Sequence, residues 1–236
     1  MNQKHDIQLF TAPTMNGWKP LIFLEEAQVG YELVPIDLSR QEQKSASYTA
    51  LNPNGRIPTL VDRGNGGHVV FESGAILWYL AEKYQRFLPT DAKGRSRALQ
   101  WLMFQSSGVG PMMGQAMYFQ RIAAPQGHHD EFAITRYVAE SRRLLEILDK
   151  QLSGRPFLLG DDYSIVDMAT YPYAATHFWA KVSVEGLDGL QAWLARLRAR
   201  PAIERALRLP SPFPALFGEG DVAAAEQINA ARFVRS

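Results

Sequence analysis

The sequence predicts two domains of different class, an α/β domain followed by an all-α domain. Strand-like and helix-like patterns alternate over residues 1–86, and strand signals nearly vanish beyond residue 94. A linker at residues 87–94, within the stretch QRFLPTDAKG, separates the two regimes. A chain of 236 residues can give each part its own core.

Residues 7–10, IQLF, read as a short apolar strand. Trp18, Leu21, Leu24 and Ala27 then recur at helical spacing; Asn16 or Gly17 can cap the start, and Pro20 is expected in the first turn, where its missing N–H costs little. YELVPIDL, residues 31–38, is a second strand, and Pro35 within it argues for a sheet edge. NPNGRIPTLVD turns into a third strand at residues 59–61, RGNGGH is a hairpin turn, and residues 69–71 form the fourth strand. ESGAILWYLAEKY gives a helix from about Ser73 to Tyr84. Strand, helix, strand, hairpin and helix in that order describe a small sheet with one right-handed parallel crossover and one antiparallel pair.

Residues 95–209 read as helices. The first, residues 95–121, is interrupted at SSGVGPMMG; the second, residues 130–152, places Ile134, Leu144 or Leu145, and Leu148 on one side. A third begins near Ser164 and a fourth covers residues 187–199, while PSPFP opens a tail at residues 210–236. Arg196, Arg198, Arg200, Arg205 and Arg208 read as a solvated helix face.

Composition removes several function classes. A net charge of +1 offers no electrostatic case for nucleic acid or an anionic membrane. No apolar run approaches the roughly 18 residues of a spanning helix, and the N-terminus has no hydrophobic signal core, so a cytoplasmic protein is expected. The absence of cysteine excludes disulfides, thiolate metal sites and a thiol nucleophile of the protein's own. The histidines are not at ligand spacing, and no metal is expected.

Two junctions draw chemical interest. FTAPTMNGWK runs from a strand into a helix, a place that commonly carries a reactive group. Glu72-Ser73-Gly74 stands where another strand meets a helix, and exposed N–H groups there can hold a carboxylate, with the Ser73 hydroxyl as a further donor. Ser73 can equally be a helix cap, and Thr14 and Asn16 can equally form a local turn. For Ile57-Pro58 the sequence alone favours a trans bond.

TAPTMNGWK, NPNGRIPTLVD, FESGAILWYLAEKY and YSIVDMATYPY together resemble the glutathione transferase family, over roughly residues 6–208. The PTxNG form of the first motif and QWLMFQSSGVGPMMGQ are most similar to its bacterial nu class and fungal relatives. The resemblance implies a thioredoxin-like N-terminal domain, a helical transferase-type C-terminal domain, a homodimer, and an active site in the cleft between the domains. It implies glutathione as substrate and disulfide-bond reductase activity more than conjugation. It also implies a cis Ile57-Pro58 bond, whose Ile57 N–H and C=O pair with the cysteinyl backbone of glutathione. Gln43 is placed near the ligand, with Arg56 on an adjacent loop where it can equally be a solvated charge.

Glutathione carries two carboxylates, an amine and a thiol. Glu72 suits the ammonium group and Ser73 a carboxylate. A free thiol with a pKa of about 8.5 is only a few per cent thiolate at neutral pH, and lowering that by two units takes about 2.7 kcal/mol. One or two hydrogen bonds to the anion, about 1.5–3 kcal/mol each, provide this. The Thr14 hydroxyl and an amide N–H of Asn16, near a helix N-terminus, are donors of the right kind. The other substrate is then a small disulfide or an electrophile. Two alternatives stand beside this reading: conjugation of small electrophiles, and a non-catalytic glutathione-binding or partner-binding module.

Trp101, Gln105, Met113 and Tyr118 are candidates for a second-substrate pocket, although most aromatic and methionine residues of that segment belong to a core. GVGPMMG mimics a dinucleotide fingerprint without the strand such a fingerprint requires, and its Gly and Pro residues read instead as a helix kink. Ser164-x-x-Asp167 has the form of a capping box, with an expected contribution of about 1 kcal/mol to stability.

Overall fold

The computed structural model describes residues 5–212, so the tail beyond Pro212 lies outside the described residues. Two units are present, residues 5–86 with 201–212, and residues 87–200.

The first unit holds a four-stranded sheet of β1 (Ile7–Thr11), β2 (Tyr31–Pro35), β3 (Thr59–Asp62) and β4 (His68–Phe71) in the order β2-β1-β3-β4. β1 and β2 are parallel; β1–β3 and β3–β4 are antiparallel, which makes the sheet thioredoxin-like. Pro35 ends the edge strand β2 and is paired only on one side, by Thr11. The β1–β2 crossover is α1 (Met15–Ala27), in which Trp18, Leu21, Ile22, Phe23 and Leu24 are all fully buried. A helix apolar around its circumference lies inside a fold, and α1 does. Because α1 starts at Met15, Pro20 falls in the second turn and not the first, and its missing N–H deprives the Asn16 carbonyl of an intrahelical donor. α2 (Ala46–Thr49) is a single turn, and α3 (Ser73–Tyr84) follows β4. The buried Asp62 carboxylate ties the hairpin to α3 by accepting from the Tyr79 hydroxyl at 2.6 Å and from the Lys83 ammonium.

The second unit contains α4 (Ala92–Phe104), α5 (Gly110–Tyr118), α6 (Glu131–Leu152), α7 (Ile165–Ala175) and α8 (Asp188–Arg198). α4 begins inside the expected linker, because the Asp91 carboxylate caps it by accepting the Gly94 N–H at 2.9 Å. The expected interruption at SSGVGPMMG is a π-helical turn, residues Gln105–Val109: Pro111 cannot donate, and the helix widens instead of breaking. α7 is buried along nearly its whole length and is the centre of this unit.

A ninth helix, α9 (Pro201–Leu207), belongs with the first unit, whereas the sequence placed residues 95–209 in one helical domain. Ile203, Ala206 and Leu207 are buried, the Trp18 indole N–H donates to the Leu209 carbonyl at 3.2 Å, and Arg205 pairs with Glu25 at 2.8 Å. The arginines near this end are mostly partnered and do not form a simple solvated face. Arg196 donates to the Pro156 carbonyl at 2.8 Å, Arg200 lies 4.1 Å from the centre of the Tyr163 ring, and Arg208 pairs with Glu204.

The capping box forms and extends beyond a cap. Asp167 is fully buried; Oδ2 accepts the Ser164 N–H and hydroxyl, each at 3.0 Å, and Oδ1 accepts the Leu158 N–H at 3.0 Å and the Trp193 indole N–H at 2.9 Å. Burial pushes the Asp167 carboxyl above the usual carboxylate range, against the pull of these donors. Asp167→Ala would strand four buried donors, so the expected loss is about 3 kcal/mol or more, well above a cap alone. Urea unfolding of the variant measures it, and a loss near 1 kcal/mol would reduce Asp167 to an ordinary cap.

Candidate active site

The β1–α1 junction is built on a steric constraint. A Cβ on Gly17 would lie 2.1 Å from the Ala12 carbonyl oxygen and 2.6 Å from Thr11 Oγ1, so no other residue fits without moving the backbone. Thr11 Oγ1 donates to the Gly17 carbonyl at 3.2 Å and fastens the strand end to the helix start. Thr14, in extended backbone, is the N-cap in place of the expected Asn16 or Gly17, and its Oγ1 accepts the Gly17 N–H at 3.1 Å. Capping uses a lone pair and leaves the Thr14 hydroxyl proton to be given elsewhere. Asn16 stands in the first turn, where backbone N–H groups have no acceptor within the helix.

At the β4–α3 junction, Glu72 is exposed and holds φ +69° and ψ 118°, a conformation unfavourable for a residue with a side chain. Glu72 occupies the cap position of α3, so Ser73 is the first helical residue and not its cap. The Ser73 hydroxyl is accordingly engaged sideways: it accepts from Lys19 Nζ at 3.4 Å and donates to Asn16 Oδ1 at 3.5 Å. These bonds join the two junctions into one constellation of Thr14, Asn16, Lys19, Glu72 and Ser73.

Lys19 was not singled out by the sequence reading, although a single charge inside the apolar run WKPLIFL was a signal available to it. It is 2 % exposed, and burial draws its pKa down to about 7 against the opposing attraction of Glu72. Tyr31 is committed elsewhere: its hydroxyl donates to Glu25 at 2.8 Å, and burial, then that bond, raises its pKa.

Strand register brings the remaining first-unit candidates to the same end of the sheet. Phe10 pairs with Thr59 and Thr59 with Phe71, so the turn after β1, the loop before β3 and Glu72 after β4 emerge together. The Ile57-Pro58 bond is cis. The Arg56 carbonyl accepts from the Tyr48 hydroxyl at 2.9 Å and from Asn52 Nδ2 at 2.7 Å, which pins this loop while the Arg56 side chain stays exposed. Gln43 lies in a single 3-10 turn packed on Gly55, and its Oε1 is buried without a hydrogen-bond partner among the described residues.

The four second-substrate candidates are not brought together in kind. Met113 is fully buried and Gln105 is 1 % exposed, lying over Gly110. Trp101 is half-buried and edge-on to Phe104, while Tyr118 is exposed and edge-on to Phe119, whose ring stacks on Tyr137. Among the described residues no group of His, Cys, Asp and Glu is placed to hold a metal ion, and no helix is long and apolar enough to cross a membrane.

Residues 5–82 match the glutathione S-transferase N-terminal domain and residues 112–201 the corresponding C-terminal domain. The disulfide-bond oxidoreductase YfcG of Escherichia coli is 41% identical over 205 residues, which cover 85% of this chain and 94% of that protein. A glutathione transferase from Burkholderia graminis, solved with two glutathione molecules per subunit, superposes with a TM-score of 0.83 at 41% identity, covering 87% of this chain and 89% of that one. One from Pseudomonas putida, solved with one glutathione disulfide per subunit, also gives 0.83, at 37% identity over 89% of this chain and 94% of that one.

Gly17→Ala tests the geometry of the first junction. The added methyl forces strand and helix apart, with an expected cost of about 2–3 kcal/mol in thermal or urea unfolding. A cost under about 0.5 kcal/mol would mean that the close approach is relieved without effort.

Proposed function

The chain belongs to the glutathione S-transferase family, and we propose that within it the protein is a glutathione-dependent disulfide-bond oxidoreductase. The observation that carries this reading is the pair of neutral donors, the Thr14 hydroxyl and the Asn16 N–H, at the tip of α1 in a chain without cysteine. Bound glutathione supplies the sulfur, and the donors hold it as thiolate. That thiolate attacks one sulfur of a substrate disulfide; a mixed disulfide forms, and the second substrate sulfur leaves as a thiolate that takes up a proton. A second glutathione thiolate then attacks the mixed disulfide, releasing the other substrate thiol and leaving glutathione disulfide. The Pseudomonas putida and Burkholderia graminis relatives, holding glutathione disulfide and two glutathiones respectively, support a site with room for both partners of that second step.

In this reading Ser73 and the start of α3 receive the γ-glutamyl carboxylate, Glu72 its ammonium group, and the Ile57 backbone the cysteinyl peptide. Gln43 and Arg56 complete the wall, and the buried Gln43 carbonyl oxygen gains a donor from the ligand. Trp101 and Tyr118 remain candidates for contact with the second substrate. Leu99 and Met103, one turn apart on α4 and about half exposed, support the homodimer that the resemblance implies, and we place the protein in the cytoplasm.

Steady-state turnover of a small dialkyl disulfide with glutathione is expected to exceed conjugation of a chloronitroarene; the reverse ranking would favour the transferase alternative. Thr14→Ala is expected to lower kcat/KM about 10- to 100-fold and to move the ascending limb of its pH profile toward the free thiol value of about 8.5. An unchanged rate and profile would remove Thr14 from the site. Glu72→Ala is expected to raise the KM for glutathione roughly tenfold with the fold retained, and an unchanged KM would reject its ammonium-binding role.

A further inference from the structure

We propose that Asn65 is a modification site, where the chain deamidates itself and so loosens the tie between the β3–β4 hairpin and α3. The Gly66 backbone nitrogen, giving up its proton, attacks the Asn65 side-chain carbonyl carbon, and ammonia leaves. Water then opens the resulting succinimide at either carbonyl, to aspartate or to isoaspartate. No oxidant or reductant is consumed: the side-chain NH2 is exchanged for an anionic oxygen, and one negative charge is gained.

A glycine after asparagine leaves the attacking nitrogen unhindered, and the sequence holds three such pairs: Asn16-Gly17, Asn54-Gly55 and Asn65-Gly66. Attack requires the asparagine ψ to rotate until the next nitrogen reaches its side chain. The fold decides which pair can make that rotation. Asn16 lies in the first turn of α1, where the Gly17 N–H donates to Thr14 Oγ1 at 3.1 Å and Gly17 is wedged against the Ala12 carbonyl. The Asn54 N–H donates to Asn52 Oδ1 at 3.0 Å, and the Gly55 N–H donates to the Asn52 carbonyl at 2.9 Å. Gly55 is also buried, with its Cβ position 3.0 Å from the Gln43 carbonyl oxygen. Both pairs are locked.

The third pair is open. Asn65 ends a single 3-10 turn, Arg63–Asn65, a kind of turn with poor hydrogen-bond geometry. Asn65, Gly66 and Gly67 are exposed, and a Cβ at either glycine would meet nothing within 4 Å. The chain is held on either side of the pair, by the Arg63 N–H donating to the Asp6 carbonyl at 2.8 Å and the Gly67 N–H to the Asp62 carbonyl at 2.9 Å. Rotation at Asn65 is therefore confined to the hairpin tip, outside the paired residues of β3 and β4.

The product forms beside a buried carboxylate. Asp62 Oδ1 accepts the Asn65 N–H at 3.1 Å, while Oδ2 takes the single Tyr79 hydroxyl proton and a bond from the Lys83 ammonium. With its proton so committed, the Tyr79 oxygen accepts from Asn65 Nδ2 at 3.2 Å. Deamidation replaces that donor with an anionic oxygen that has no proton to give. Two carboxylates three positions apart then repel each other and compete for one phenol proton. Isoaspartate goes further, because its extra backbone methylene also displaces Gly66 and Gly67. All of this happens where Asp62 pairs with His68, the end of the sheet opposite the Thr59–Phe71 pair that leads into Glu72.

The test incubates the full chain, native and unfolded in guanidinium, in one mildly alkaline buffer until Asn65 in the unfolded sample is half converted. Trypsin then places the three asparagines on separate peptides, residues 5–40, 45–56 and 64–83, and mass spectrometry reads the deamidated fraction of each. In the native sample Asn65 is expected to keep more than roughly a tenth of its unfolded conversion, and Asn16 and Asn54 less than a tenth of theirs. Native Asn65 below that tenth, or Asn16 or Asn54 above it, overturns the proposal. Asn65→Gln, whose amide lies one carbon further from the Gly66 nitrogen, is expected to gain no mass on its peptide over the same time, and an equal gain would also overturn it. Asn65→Asp, which makes one product directly, is expected to melt about 1–3 °C below wild type. A melting temperature no lower than that of wild type would overturn the loosened tie.

Discussion

Everything at this site depends on how closely the end of β1 and the start of α1 approach, and only a residue without a side chain permits it. Gly17 sits where any Cβ would strike the Ala12 carbonyl, and the Thr11 hydroxyl holds the two elements at that distance. The consequence runs outward one residue at a time. Thr14 is left as the cap, Asn16 is turned toward Ser73, and Lys19 is carried beneath both. A methyl group at position 17 would press on the Thr14 hydroxyl directly and, through the displaced helix start, disturb the other two.

The chemistry assembled there is that of an acceptor of charge. Thr14 and Ser73 offer hydroxyls, two helix starts offer N–H groups, and Lys19 offers a cation that its surroundings disfavour. Such a set suits a ligand that brings a carboxylate and a sulfur anion, as the proposed function requires. The strained backbone of Glu72 belongs to the same design, because it lets β4 hand the chain to α3 with the helix start facing the other junction.

What the sequence disclosed and withheld follows physical lines. Pro35 at an edge, the hairpin around Gly66 and Gly67, and the Ser164–Asp167 cap were readable because each is a local preference with a local cause. The start of α1 was misplaced by two or three residues, since Thr14, Asn16 and Gly17 are all acceptable caps and only the contact with Ala12 decides among them. α9 was assigned to the wrong core because a short amphipathic helix does not record which surface it covers; the Trp18–Leu209 bond does. That Met113 and Gln105 are buried was not legible, because periodicity cannot tell an inward face from a ligand-facing one. Lys19 was passed over because charge is ordinarily read as exposure.

The return of the chain to its starting unit has a consequence for biosynthesis. Trp18 finds its acceptor at Leu209, 191 positions later, and Ile203, Ala206 and Leu207 close over the first helix only then. During translation the sheet and α1 are made before residues 87–200 and α9 after them, so this flank is covered only once the helical unit has been synthesised. The first unit therefore completes its core only after the second has been made, so the two cannot mature strictly in the order in which they begin.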